Sequence, residues 1–125
     1  MVGDYRRLEV WSLARSLTKS IYSETETFPG TERYGLASQL RQASNSIGAN
    51  IAEGIGRATD PDTLRFLSIA MGSANEVEQH LVVANDVGLM PESVAADLIS
   101  RVQRVRRMLV GLRTTIADRD RKKRD

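Results

Sequence analysis

The sequence predicts an all-α protein, an antiparallel up-down-up-down four-helix bundle, and three observations carry that prediction. Apolar residues recur at steps of three and four in four separate stretches, the period of a helix that buries one face. No stretch shows strand alternation bounded by turn residues. The connections between stretches are short, apart from the one around Phe28 to Arg33, and short connections make sequential helices antiparallel neighbours.

The first helix is expected from Tyr5 to Ser23, with Val10, Ala14, Leu17 and Ile21 as its seam and Leu8, Trp11 and Leu13 widening it. Trp11, the only tryptophan, reads as a core or interface anchor rather than a ligand contact. The segment ETETFPGTER then breaks the pattern, with Phe28-Pro29-Gly30 as the turn signal and Phe28 expected to tuck onto the bundle end.

The second helix is expected from Glu32 to Gly54, with Leu36, Leu40, Ala43, Ile47, Ile51 and Gly54 on one face. Gln39, Ser46, Asn50 and Glu53 follow nearly the same steps on an adjoining strip. Polar groups beside a buried seam need hydrogen-bond partners. This strip, together with Ser73 and Glu76 of the third helix, is therefore expected to specify how helices dock. Gly54 is the expected left-handed stop.

The third helix carries a start signal: Asp60 as cap, Pro61 at the first helical position and Asp62 at the positive end of the dipole. Its seam is Leu64, Leu67, Ala70, Met71, Ala74, Val77, Leu81 and Ala84. Gly72 in mid-helix costs about 1 kcal/mol of propensity relative to Ala, and a close helix–helix approach is the expected compensation. Gly88 ends this helix, and Pro91 with Glu92 opens the fourth. The fourth seam is Val94, Leu98, Val102, Val105, Leu109, Leu112 and Ile116. After Ala117 the pattern dissolves into DRDRKKRD, so the bundle is expected over residues 1–118 and a disordered basic tail over 119–125.

Composition narrows the function classes. The absence of cysteine excludes disulfides and thiolate chemistry and fits a reducing compartment. No apolar run approaches the roughly 20 residues of a membrane span, and MVGDYRRLEVW lacks the apolar core of a signal peptide; the cytoplasm is expected. The net charge of +2 hides an asymmetry. Residues 1–99 hold eight Lys/Arg and thirteen Asp/Glu (8 − 13 = −5), whereas residues 100–125 hold ten and three (10 − 3 = +7). Fifteen of the eighteen basic residues are arginine, the side chain suited to phosphate and carboxylate forks.

Catalysis finds little support, and no enzyme activity, cofactor or metal is expected. His80 is the only histidine, so a His/Cys zinc site is out of reach, and Val77 stands where a Glu-x-x-His metal pair would need its glutamate. The serines lack an evident base. Glu53 and Glu76 are the carboxylate pair to notice, with a structural role favoured over acid–base work. Cationic faces are the better signal. Arg41, Arg57 and Arg65 flank the junction of helices two and three, and Arg101, Arg104, Arg106 and Arg107 stud helix four. Such groups can bind phosphate without regard to sequence, although arginines on helices also serve as solvated faces paired with acids.

The run FPGTERYGLASQLRQASNSIGANIAEGIGRATD followed by RFLSIAMGSANEVEQHL resembles a bacterial four-helix-bundle family first associated with intervening sequences in large-subunit rRNA genes. The likeness rests on Phe28-Pro29, Glu32, Tyr34-Gly35-Leu36, Gln39-Leu40-Arg41, Ser46-Ile47, Asn50 to Gly54, Gly56-Arg57, Ile69-Ala70, Gly72-Ser73 and Glu76. It extends to Leu8-Glu9-Val10-Trp11 and the Gly88-Leu89 turn. The resemblance implies a ring-like homo-oligomer, a pentamer. In fold and charge, though not in these motifs, the chain is also similar to the RNA- and reverse-transcriptase-binding accessory protein of diversity-generating retroelements. The expected function is a non-enzymatic homo-oligomer that binds nucleic acid, above all RNA, through its arginines, as a ribonucleoprotein or reverse-transcriptase accessory factor. The alternative is a protein-interaction adaptor with no nucleic-acid role.

Overall fold

Cross-helix contacts run in opposite chain order at every neighbouring pair of helices. The computed structural model describes residues 3–32 and 35–125, with α1 at Glu9–Thr25, α2 at Leu36–Ile55, α3 at Asp60–Asp86 and α4 at Glu92–Arg124. Arg41 of α2 reaches Tyr22 and Thr25 of α1, while Gly48 lies against Trp11. Ser73 of α3 meets Ser46 of α2, and Thr63 meets Gly54. Along α4, Arg106, Arg113 and Arg119 meet Glu78, Ser68 and Asp60 of α3 in turn. Arg101 and Arg104 meet Ser20 and Glu9 of α1. This is the arrangement of an up-down-up-down bundle, favoured by the short α2–α3 and α3–α4 connections.

The core is the meeting of the four apolar seams. Leu17, Ile21, Leu40, Ile47, Ile51, Leu67, Leu81, Leu98 and Leu109 are fully buried, each stabilising the fold by roughly 1.5–3 kcal/mol relative to exposure. Leu64, Met71, Val94 and Leu112 flank that core half-buried. Phe28 is buried and packs on it.

Several boundaries differ from the sequence reading, each for a physical reason. Tyr5–Arg7 is a 3₁₀ turn capped by the Asp4 carboxylate, so α1 starts later than expected. Gly30–Glu32 is a second 3₁₀ turn, so the expected start at Glu32 belongs to that turn; Glu32 accepts from the Leu36 backbone N–H, α2 is described from Leu36, and positions 33 and 34 lie outside the described residues. Gly54 does not stop α2. The helix passes through it to Ile55, and the glycine is needed for approach: a Cβ there would stand 3.0 Å from the Phe66 Cβ and 3.3 Å from the Thr63 carbonyl oxygen. The cap of α3 is Thr59, whose hydroxyl accepts from the Asp62 N–H, because the Asp60 carboxylate is held by α4 instead. Gly88 does adopt φ +80°, and the Leu89 N–H reaches back to the Ala84 carbonyl at 2.9 Å, a Schellman closure of α3.

Gly72 contradicts the close-approach expectation. It is exposed, with nothing within 4 Å of a Cβ built on it. The expected disordered tail is also absent, since α4 continues to Arg124. Asp118–Arg121 and Asp120–Arg124 pairs support this last stretch along the helix, and Arg119 and Lys123 bind Asp60 across to α3. A repeat of charges with no apolar period thus hides helix-compatible spacing.

The two glycines should respond oppositely to alanine. Gly54→Ala is expected to lower unfolding stability by about 1–3 kcal/mol through overpacking. Gly72→Ala should raise it by about 0.5–1 kcal/mol through helix propensity. Urea unfolding followed by circular dichroism checks both.

Candidate nucleic-acid interface

Six of the seven arginines singled out by sequence have partners within the chain. Arg41 donates to the Thr25 hydroxyl at 2.8 Å and the Tyr22 carbonyl at 3.2 Å, with its guanidinium 4.8 Å from the Tyr22 ring. Arg57 pairs with Glu53 at 2.6 Å, Arg65 with Asp62 at 3.0 Å, and both lie over the Phe66 ring, at 4.6 and 4.5 Å. Arg101 donates to Ser20 and Ser16, and Arg104 to Glu9. Arg106 donates to Asn75 and Glu78. Glu78 also accepts from Gln103, and the Arg106 hydrogen bond first and Gln103 second hold its carboxyl below the usual range. Arg107 is exposed and has no partner among the described residues.

The sequence could not separate these two groups because most partners lie on other helices. Glu78 is 28 positions from Arg106 and Glu9 is 95 from Arg104. Two cations that sequence reasoning passed over, Arg15 and Lys19, are exposed and without hydrogen-bond or ion-pair partners among the described residues. A local signal for them exists: neither has a carboxylate three or four residues away, where helical ion pairs form. They line the groove between α1 and α2, beside Trp11.

The polar strip divides in the same way. Ser73 Oγ donates to Ser46 Oγ at 2.9 Å, and Asn50 Nδ2 donates to the Ser46 carbonyl and hydroxyl. The Ser46–Ser73 bond joins α2 to α3, and Asn50 supports Ser46 from within α2. Gln39 is exposed. Glu53 and Glu76 have side chains that are each 58% exposed, and both pair four residues along the chain, with Arg57 just past the end of α2 and with His80 of α3. The contacts of Ser46 with Ser73 and of Gly54 with Thr63 set the two glutamates about ten residues apart along the interface, roughly 15 Å of helix. An inward-facing carboxylate pair is not formed. No group of three metal-ligating side chains comes together among the described residues.

At the bundle end, the buried Asp60 carboxylate accepts from Arg119 at 2.7 Å and Lys123 at 2.9 Å. These hydrogen bonds, Arg119's first, pull its pKa from 3.8 to about 2 and raise that of Arg119. Two of the C-terminal cations are thereby committed to the fold.

Residues 6–111 match the family described as 23S rRNA-intervening sequence protein. The chain belongs to that family. No curated protein matches it. A solved structure with TM-score 0.75 and 20% identity covers 82% of this chain and 96% of its own length. It is described as a protein with unknown function from the S23 ribosomal protein family of Bacteroides thetaiotaomicron VPI-5482. At that identity the likeness establishes the fold alone, all-α with four helices. No helix among the described residues is long and apolar enough to cross a membrane.

The Asp60 clamp gives a pH signature. A carboxylate whose pKa is lowered on folding contributes stability that is complete above its unfolded value and is lost as pH falls through its folded value. For Asp60 that window runs from 3.8 down to about 2. Asp60→Asn should flatten the loss of stability across this window and, at neutral pH, speed amide hydrogen exchange in residues 117–124. Urea titrations at stepped pH and exchange mass spectrometry are the checks.

Proposed function

We propose that the protein is a non-enzymatic homo-oligomer that binds RNA through the cations its own fold leaves unpaired. One observation carries this reading: Arg15, Lys19 and Arg107 stand exposed without hydrogen-bond or ion-pair partners among the described residues, while neighbouring arginines are held by such partners within the bundle. Sequence-independent phosphate binding needs only accessible positive charge. The family name, which refers to sequences within 23S rRNA, agrees with an RNA partner.

Oligomerisation multiplies a small patch into a strong field. Ile69, Val82, Val87 and Val110 are exposed apolar side chains, and Gly72 on α3 leaves room for a close neighbour. A ring of five subunits is the assembly this reading adopts, with a reverse transcriptase as its class of protein partner and the cytoplasm as its place of work. The same apolar residues favour the second reading, an adaptor that contacts protein alone.

Fluorescence anisotropy with labelled single-stranded RNA, duplex RNA and duplex DNA across a salt series, with the mass of the assembly measured alongside, separates the two. The RNA reading expects an intact oligomer whose log affinity falls with log salt by about 0.7 per phosphate neutralised on a single strand. Absence of binding at low salt would reject it in favour of the adaptor. Glu53→Gln, which releases Arg57 from its 2.6 Å ion pair, should not weaken RNA binding.

A further inference from the structure

Trp11, read from the sequence as a core or interface anchor, packs against the edge of the core. It is half-buried at the side of an open groove between α1 and α2 with a volume of ≈ 300 Å³. Tyr5 packs edge-on against its ring at 5.0 Å between centroids. On the facing helix Gly48 sits so close that a Cβ would meet the indole nitrogen at 3.4 Å, so the absence of a side chain there keeps the groove open beside the ring. Arg15 and Lys19 line the same groove, as does the exposed amide of Asn45. The Arg15 guanidinium is 5.8 Å from the Trp11 ring, more distant than the 4.5 Å at which Arg65 covers Phe66.

From these features we infer that the Trp11 groove is a pocket for one unpaired nucleotide of a single-stranded RNA. The inference rests on the RNA-binding reading and makes it specific. Among the described residues no carboxylate lines the groove, so two cations without an ion-pair partner call for an occupant that brings negative charge. The aromatic wall calls for one with a flat apolar face. An unpaired nucleotide has both, and Asn45 offers donor and acceptor groups to a base edge. The volume is at the low end for ligand pockets, enough for a single nucleotide and too small for a duplex, whose bases are already stacked and paired. The groove therefore sets a preference for single strands that the phosphate-binding cations alone would not confer.

Trp11 is the only tryptophan, so its emission reports on the groove directly. The full chain is titrated with a short oligoadenylate, with an abasic oligomer of equal phosphate number, and with an RNA duplex, while anisotropy of the labelled oligomers follows total binding. The expected result is Trp11 quenching that saturates together with oligoadenylate binding and is absent for the abasic oligomer and the duplex. Trp11→Leu should weaken oligoadenylate about five- to hundredfold, the range for loss of one stacked base, and leave the abasic oligomer nearly unaffected. Because that variant could disturb packing, Arg15→Gln/Lys19→Gln, both at exposed positions, serves as the second test; it should retain the native Trp11 spectrum and lose the quenching. Binding of RNA with no change in Trp11 emission, or equal quenching by the abasic oligomer, overturns the pocket and leaves the general RNA reading standing. A Trp11 spectrum that shifts on dilution of the protein alone assigns the groove to a second copy and overturns the pocket as well. Failure of all three ligands to bind overturns both.

Discussion

A guanidinium keeps its charge at any pH a protein meets and loses much of its hydration when packed between helices. A bundle with fifteen arginines must therefore give each one a partner or leave it in water. Here the partners are largely supplied across helix boundaries. Arg41 ties α2 to α1, Arg101 and Arg104 tie α4 to α1, and Arg106 and Arg119 tie α4 to α3. These contacts add modest energy individually. Their larger effect is on register, because a seam of Leu, Ile and Val tolerates sliding far better than a donor fork facing one acceptor does.

The α2–α3 interface shows the same logic with neutral groups. Gly54 lets α3 come close enough for the Thr63 hydroxyl to reach its carbonyl at 2.7 Å. Ser46 and Ser73 close the middle of the interface. That approach also sets Phe66 beside Arg57 and Arg65, so two cations near the junction are occupied in covering an aromatic ring. Arg15 and Lys19 of α1 and Arg107 of α4 stay exposed outside these contacts.

Most of the fold was legible because the helical period of Val10, Leu17, Leu40, Ile47, Leu67, Leu98 and Leu109 is a local property of the chain. The positive-φ stop at Gly88 was equally local. The misread features depend on distant partners. Asp60 could serve as a cap until α4 delivers Arg119 and Lys123 to it, and the charged end of α4 reads as a tail until Asp60 is placed beside it. The residues of the proposed site were harder still. Arg106 and Arg107 are adjacent, with no carboxylate three or four residues away from either, and only the neighbouring α3 distinguishes them. Trp11 read as an anchor because a lone tryptophan in an apolar stripe usually is one. Its groove exists because Gly48, on another helix, offers no side chain to fill it.

The central claim is this division of arginines into those that hold the bundle and those that meet a ligand, and adjacent residues test it most directly. Arg106→Gln and Arg107→Gln are compared by urea unfolding and by the salt dependence of single-stranded RNA binding. Arg106→Gln should lower stability by about 1 kcal/mol with the salt slope unchanged. Arg107→Gln should leave stability unchanged and reduce the slope by about 0.7 for each phosphate that the Arg107 guanidinium neutralises. Equal loss of RNA affinity in both variants, with stability intact in both, would contradict the account.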